Sequence, residues 1–222
     1  EFCLATAIVL SRNLHLGNAG INNGQYEETR QKMIAHKMIS MQGQTVGVIG
    51  FGTIGRETAR LFRSIGCSVL CFDIFQPSKS EATAVGANIS DLHNLLQTAD
   101  IISVHVPLSK ETVDLISVNE LGMMKSSAIL INAARGGVVN ESALAEALET
   151  NSIRGAATDV FSQEPPTQNN PLLNLSDITA QKVFLTPHIA GITTQAWTDL
   201  FIKSWENIQN YFEGKEVVNR KL

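Results

Sequence analysis

Residues 50–55, Gly50-Phe51-Gly52-Thr53-Ile54-Gly55, form a G-x-G-x-x-G run. It follows a short apolar stretch, Thr45 to Ile49, and opens a segment with helical spacing. In that context the glycines read as a phosphate-binding turn. Gly50 permits the tight turn, Gly52 lets the backbone approach a pyrophosphate, and Gly55 lets helix and strand pack closely. The helix start at Thr53 and Ile54 offers free N–H groups and the positive end of its dipole to phosphate oxygens. Asp73 ends the next strand, where a ribose-binding acid belongs. A carboxylate there accepts bonds from both ribose hydroxyls and repels a 2′-phosphate, so the expected cofactor is NAD rather than NADP.

Four later segments carry more polar groups. They are His105-Val106-Pro107-Leu108, Asn132-Ala133-Ala134-Arg135-Gly136-Gly137, Thr158-Asp159-Val160-Phe161 leading to Gln163-Glu164-Pro165-Pro166, and Thr186-Pro187-His188-Ile189-Ala190-Gly191. Singly, each has an ordinary explanation: a satisfied histidine, a surface arginine, a loop acid. Together, and in this order, they resemble the D-isomer-specific 2-hydroxyacid dehydrogenases. That family includes phosphoglycerate, glycerate and D-lactate dehydrogenases and hydroxypyruvate reductases. The resemblance covers nearly the whole chain; even Phe2-Cys3-Leu4-Ala5 to Arg12-Asn13 looks like the family's first cofactor-domain helix.

The resemblance implies an NAD-dependent oxidoreductase and assigns roles. Arg135 should bind the substrate carboxylate and carbonyl, since a planar guanidinium meets two oxygens at once. His188 should be the acid/base, and Glu164 should pair with it, orienting the ring and favouring its charged form. Asp159 resembles the residue that holds the nicotinamide end. Val106, Pro107, Ala133, Ala134, Arg135, His188 and Gly191 should line the cofactor cleft. His105 has nothing that makes it chemical and is expected to be structural. His15, His36 and His93 form no ligand pattern with cysteines or acids, so no metal is expected.

The elements that must position these residues alternate. Strands are expected at Thr45–Ile49, Ser68–Phe72, Ile101–Val104, Ala128–Ile131 and Val183–Leu185, with Ala156 and Ala157 leading to Asp159 at a further strand end. Helices are expected to about Leu16, from Thr53 to Ile65 with Ile54, Leu61, Phe62 and Ile65 on one face, after Ser90-Asp91 to Leu96, from Glu141 to Leu148, and from Thr194 to Phe212. Gly17 to Gly24 reads as a loop, and Gln25 to Ser40 as a polar segment. The pattern implies an α/β fold: a Rossmann-type doubly wound parallel sheet with flanking helices, with ligands at the carboxyl ends of the strands.

The chain has 222 residues, 44% hydrophobic and 17% charged, with net charge -4. That suffices for one sizeable core and gives no electrostatic reason to expect nucleic acid or an anionic membrane as partner. Cys3, Cys67 and Cys71 form no disulfide framework and read as small buried hydrophobes in a reducing compartment. The apolar stretch from Phe2 to Leu10 is too short to span a bilayer and lacks the flanks of a signal peptide. A cytoplasmic location is therefore expected.

The chain begins at Glu1 rather than Met and is expected to be part of a longer protein. All of residues 1–222 read as an NAD-binding domain, with its core at roughly 40–190. The family's substrate domain, with a loop that also grips the carboxylate, would be missing; Glu206 to Leu222 could belong to the portion returning to it. The substrate therefore reads only as a small 2-hydroxy or 2-keto acid, and the chain alone is expected to bind cofactor but to have little activity. Phe2, Leu4, Ile8, Val9 and Leu10 give the first helix more apolar surface than one face needs, and the family dimerises through this domain, so a homodimer is expected. Two rivals share the architecture. Formate dehydrogenase has Gln where Glu164 stands. NAD-sensing transcriptional corepressors reuse the fold as a binding module, but no basic patch or low-complexity tail supports that role here.

Overall fold

Short apolar runs become the strands of this molecule, and helices form in most of the segments between them. The computed structural model describes residues 1–35 and 37–218. His36, one of the histidines read as non-ligating, and residues 219–222 lie outside the described residues. The chain forms two units, Glu1–His188 and Ile189–Leu222.

The first unit opens with three helices, α1 (Phe2–Arg12), α2 (Leu14–Asn22) and α3 (Tyr26–Ala35). The alternating part follows: β1 (Thr45–Ile49), α4 (Thr53–Ser64), β2 (Ser68–Phe72), α5 (Lys79–Ala84), β3 (Ala87–Ile89), α6 (Leu92–Thr98) and β4 (Ile101–Val104). Then come α7 (Val118–Met123), β5 (Ile129–Asn132), α8 (Glu141–Glu149), β6 (Gly155–Thr158), α9 (Asp177–Ala180) and β7 (Val183–Leu185). The sheet has seven strands in the order β3-β2-β1-β4-β5-β6-β7. Every pairing is parallel, with Val48 opposite Cys71 and Ser103, and Ile131 opposite Ser103 and Ala157. The order reverses between β1 and β4, the crevice where doubly wound sheets bind their ligands.

Because successive strand residues point to opposite faces, each strand feeds two cores. Val46, Val48, Ile101, Ile129 and Ile131 pack with α1 and α4 on one face. Ile49, Ile102, Val104 and Leu130 pack with Leu95, Leu96, Leu121, Leu144 and Leu148 on the other. All three cysteines are buried thiols, and burial pushes Cys71 up to about 11, so they behave as small apolar groups.

Several expectations need correction. The first helix stops at Arg12 rather than Leu16, because Asn13 takes a left-handed φ of 51°. The Gly/Asn-rich stretch from Gly17 is not a loop: α2 runs through it to Asn22. Gly20 serves close packing there, since a Cβ on it would overlap the Thr29 side chain of α3. The polar segment after Gln25 likewise contains α3, an exposed helix supported by the Glu28–Lys32 ion pair. On α4 the buried face is Gly55, Thr58, Ala59 and Phe62, whereas Ile54 is 70% exposed. Small residues let this helix lie close on the sheet, and the apolar Ile54 points away from it. Among α1's apolar residues Leu10 is buried, and Phe2, Leu4, Ile8 and Val9 are half-buried.

The second unit contains α10 (Thr194–Phe212), capped by the Thr193 hydroxyl accepting from Ala196 N–H. Within it the Asn207 amide holds both backbone groups of Val218. Among the described residues no helix is long and apolar enough to cross a membrane.

Candidate active site

The glycine turn sits at the carboxyl end of β1 and makes the first half of the site. Gly50 has φ 94°, and a Cβ there would stand 2.7 Å from the carbonyl carbon of His105 and 2.8 Å from the nitrogen of Val106. Only glycine lets the β1 turn meet the segment after β4 so closely. Gly52 is the N-cap of α4, with nothing within 4 Å of where a Cβ would stand. Gly55 abuts the Gly50 carbonyl, which pulls the helix onto the turn. Thr53 and Ile54 begin the helix and are exposed, beside that open space.

Asp73, beyond the end of β2, reaches back to this turn. Its carboxylate accepts from the Phe51 N–H at 2.6 Å and from the Phe75 N–H at 3.1 Å. An open N-cap glycine, a helix N-terminus and an acid tied to the same turn fit a dinucleotide: backbone N–H groups for the pyrophosphate and a carboxylate for the ribose. Val106 is buried beside the turn and Pro107 is exposed, its carbonyl accepting from the Thr112 hydroxyl. His105 bonds to the Ser103 hydroxyl at 2.8 Å, and burial pulls its pKa down to about 4, so it stays neutral in the wall.

The second half follows β5, β6 and β7. After β5, the buried Asn132 side chain accepts from Ala134 N–H and donates to the Arg135 carbonyl, shaping the turn that presents exposed Arg135. Asn132 has no role in the sequence reading, although a polar residue closing an apolar strand is a usable signal. The Arg135 guanidinium donates to the Ala134 carbonyl at 2.6 Å. Ala133 and Ala134 lie between strand and arginine. After β6, Asp159 is 1% exposed and accepts from the Thr186 hydroxyl at 2.6 Å. Thr186, assigned no role by the family resemblance, thereby ties β6 to the segment after β7.

Glu164 and His188 come together. His188 Nδ1 lies 2.7 Å from Glu164 Oε2, and Glu164 Oε1 accepts from the Phe161 N–H at 3.0 Å. The bond to His188 and the bond from Phe161 hold the Glu164 carboxyl below the usual carboxylate range; Arg135 adds a smaller pull in the same direction. A carboxylate only accepts, so Nδ1 carries a hydrogen and Nε2 is the nitrogen left to exchange a proton. His188 has a left-handed φ of 55°, held by its N–H donating to the Asp159 carbonyl at 2.8 Å. A non-glycine residue in that region costs about 1–3 kcal/mol, and one backbone hydrogen bond offsets only about 1 kcal/mol of it. Such strain is a mark of functional positions. Beside the pair, Phe161, Pro165, Pro166, Leu185 and Pro187 line most of a cavity of about 440 Å³.

Of the remaining residues, Gly191 belongs to the second unit, in a turn closed by Ile192 N–H on the Ile189 carbonyl. Among the described residues no cluster of three His, Cys, Asp or Glu could hold a metal ion.

A family model described as "D-isomer specific 2-hydroxyacid dehydrogenase, NAD binding domain" matches residues 4–190. This chain belongs to that family. It carries the family's NAD-binding domain, and its cofactor is NAD. It is 36% identical, over 99% of its length, to a D-3-phosphoglycerate dehydrogenase of Archaeoglobus fulgidus, of which it spans 40%. The solved apo D-mandelate dehydrogenase of Rhodotorula graminis aligns over 97% of the chain, with TM-score 0.86 and 26% identity, and 63% of that protein is covered. The D-lactate dehydrogenase of Lactobacillus jensenii, solved with NAD+, aligns over 97% of the chain, with TM-score 0.78 and 28% identity, and 66% of that protein is covered.

Replacing Asp73 removes a carboxylate hydrogen-bonded to the glycine turn. Asp73→Ala should narrow the preference for NADH over NADPH by about 1–3 kcal/mol. Fluorescence titration with both cofactors checks this; equal affinities in the unmodified protein would contradict the assignment.

Proposed function

We propose that this chain is the cofactor-binding, proton-transferring part of an oxidoreductase that interconverts a 2-keto acid and its D-2-hydroxy acid with NAD(H). The observation that carries the reading is the Glu164–His188 hydrogen bond in a chain of this dehydrogenase family. Both side chains are more than a third exposed. An exposed ion pair contributes only about 0–1 kcal/mol to stability, whereas a positioned general acid contributes about 10²–10⁴-fold in rate. The pair is therefore understood better as chemistry than as scaffolding.

In the reduction direction, bound NADH supplies the hydride to the keto carbon. Arg135 turns from the Ala134 carbonyl to the substrate, its two-pronged guanidinium holding the carboxylate and the carbonyl oxygen. His188 gives the proton on Nε2 to the carbonyl oxygen, which becomes the hydroxyl. Glu164 stays ionised, keeps the ring oriented through Nδ1 and favours the imidazolium by charge attraction. In the reverse direction Nε2 takes the hydroxyl proton. Gly50, Gly52, Thr53, Ile54 and Gly55 receive the pyrophosphate and Asp73 the ribose. Val106, Pro107, Ala133 and Ala134 line the cleft, and Asp159 holds the nicotinamide end.

Phosphoglycerate, mandelate and lactate differ in side chain but share a 2-hydroxy carboxylate, the part that Arg135 and His188 would read. The reading treats residues 1–222 as an NAD-binding domain, with its core at roughly 40–190 and its end, from about Glu206, shared with a substrate domain.

Because Glu164 is held ionised, its hold on the His188 ring persists toward low pH, and because the proposed reduction consumes a proton, activity falls on the alkaline side. Glu164→Gln should move that fall to lower pH, and His188→Ala should cost about 10²-fold or more in rate. Steady-state pH profiles of the full-length protein check both; an unchanged profile in Glu164→Gln would contradict the pairing.

We also infer a homodimer. The support is apolar side chains left partly or largely exposed on the first three helices: Phe2, Leu4, Ile8 and Val9 on α1, Leu14 and Ile21 on α2, and Tyr26 and Ile34 on α3. Sedimentation should give a dimer at micromolar concentration, and a monomer would contradict this inference.

A further inference from the structure

Glu164 lies on a segment that has little structure of its own. Ser162, Gln163, Glu164 and Pro165 are all exposed, and no regular element occurs between β6 and Pro171. Catalytic positioning needs this segment held to within a fraction of an ångström, because misplacement by about 1 Å can cost about 10²-fold.

The hold comes from Glu141, the first residue of α8. Its Oε1 accepts from the Ser162 N–H at 2.6 Å. Its Oε2 accepts from the Ser162 hydroxyl at 2.8 Å and from the Asn170 amide at 2.9 Å. One carboxylate thus grips the segment on both sides of Glu164. An acid in the first turn of a helix is usually explained by the helix dipole. Here the cap is already supplied by Asn140, whose side chain accepts from Ala143 N–H, and Glu141 turns both oxygens outward to the other segment.

The contact links two parts of the site. Helix α8 follows the Arg135 turn directly, and Gly136 in that turn abuts the Phe161 carbonyl so closely that any Cβ would overlap it. Phe161 in turn donates its N–H to Glu164. We propose that Glu141 is a positioning residue for the acid–base pair: it bolts the Glu164 segment to the element that presents Arg135, and so sets how the Glu164 carboxylate meets His188. This rests on the reading of Glu164 and His188 as the acid–base pair. Among the described residues, the charged groups around the pair are Arg135 after β5, Asp159 after β6 and Glu141 itself on α8.

The same helix supplies a control. At its other end Glu149 accepts from the Ser176 N–H, the Ser176 hydroxyl and the Thr179 hydroxyl, a matched three-bond latch that holds α9 instead. The experiment compares Glu141→Gln, Glu149→Gln, Glu164→Gln and the combined Glu141→Gln/Glu164→Gln variant in the full-length protein. The readouts are NADH affinity and the pH profile of kcat with glyoxylate, hydroxypyruvate or pyruvate, whichever is reduced fastest. Glu141→Gln should lower kcat by roughly tenfold and move the alkaline fall to lower pH, by less than Glu164→Gln does. NADH affinity should stay unchanged. Glu149→Gln should lower thermal stability and leave the profile in place, and the combined variant should fall where Glu164→Gln does. Should Glu141→Gln fold poorly, Ser162→Ala removes one of the three bonds and should move the profile the same way. The proposal is overturned if Glu164→Gln moves the profile while Glu141→Gln or Ser162→Ala leaves it in place. If Glu164→Gln itself moves nothing, the acid–base reading fails first and the positioning role fails with it.

Discussion

In the proposed mechanism His188 faces a substrate only while Glu164 holds its ring, and Glu164 holds it only while the segments after β5, β6 and β7 keep fixed relative positions. These segments have little regular structure, so side-chain hydrogen bonds fix them. Asp159 accepts from Thr186 and, through its backbone carbonyl, from His188; Asn132 shapes the Arg135 turn; Glu141 grips Ser162 and Asn170. The left-handed backbone of His188 is part of the same constraint. The bonds from its N–H to the Asp159 and Thr186 carbonyls hold that conformation in place.

The parallel sheet explains why these residues can meet at all. Its seven strands end at one edge, so residues 50, 73, 106, 135, 159, 164 and 188 all emerge on the same side although they span most of the first unit. The cofactor half needs close backbone contact, at Gly50 against His105 and Val106 and at Gly55 against Gly50. The catalytic half needs polar side chains at strand ends. Steric permission governs the one and hydrogen-bond satisfaction the other, which is why glycines cluster after β1 and Asn, Asp, Glu and Arg after β5 and β6.

Six of the seven strands were legible in the sequence as short apolar runs, and the glycine turn because its spacing sits between a strand and a helix; β3, Ala87–Ile89, is too short to show such a pattern. Helices α2 and α3 were not. Glycine and asparagine usually mark loops, and only the tertiary contact between Gly20 and Thr29 explains a glycine inside a helix. Ile54 departs from its apolar spacing for a related reason: tight helix–sheet packing buries Gly55, Thr58 and Ala59 of α4 and leaves Ile54 exposed. Helices α5 and α7 carry a readable signal, the capping boxes Ser78–Glu81 and Ser117–Glu120, that apolar periodicity alone overlooks. Glu141 could not be read from sequence, because its partners lie 21 and 29 residues away along the chain.

The most direct measurement is turnover of the full-length protein with NADH and glyoxylate, hydroxypyruvate and pyruvate, followed by NADH absorbance and by chiral analysis of the product. The account predicts one NADH oxidised for each keto acid reduced, with D-lactate or D-glycerate formed from pyruvate or hydroxypyruvate where these are accepted. Saturable NADH binding with no reduction of any 2-keto acid would contradict it, and would mean that the pair of Glu164 and His188 does not serve this chemistry.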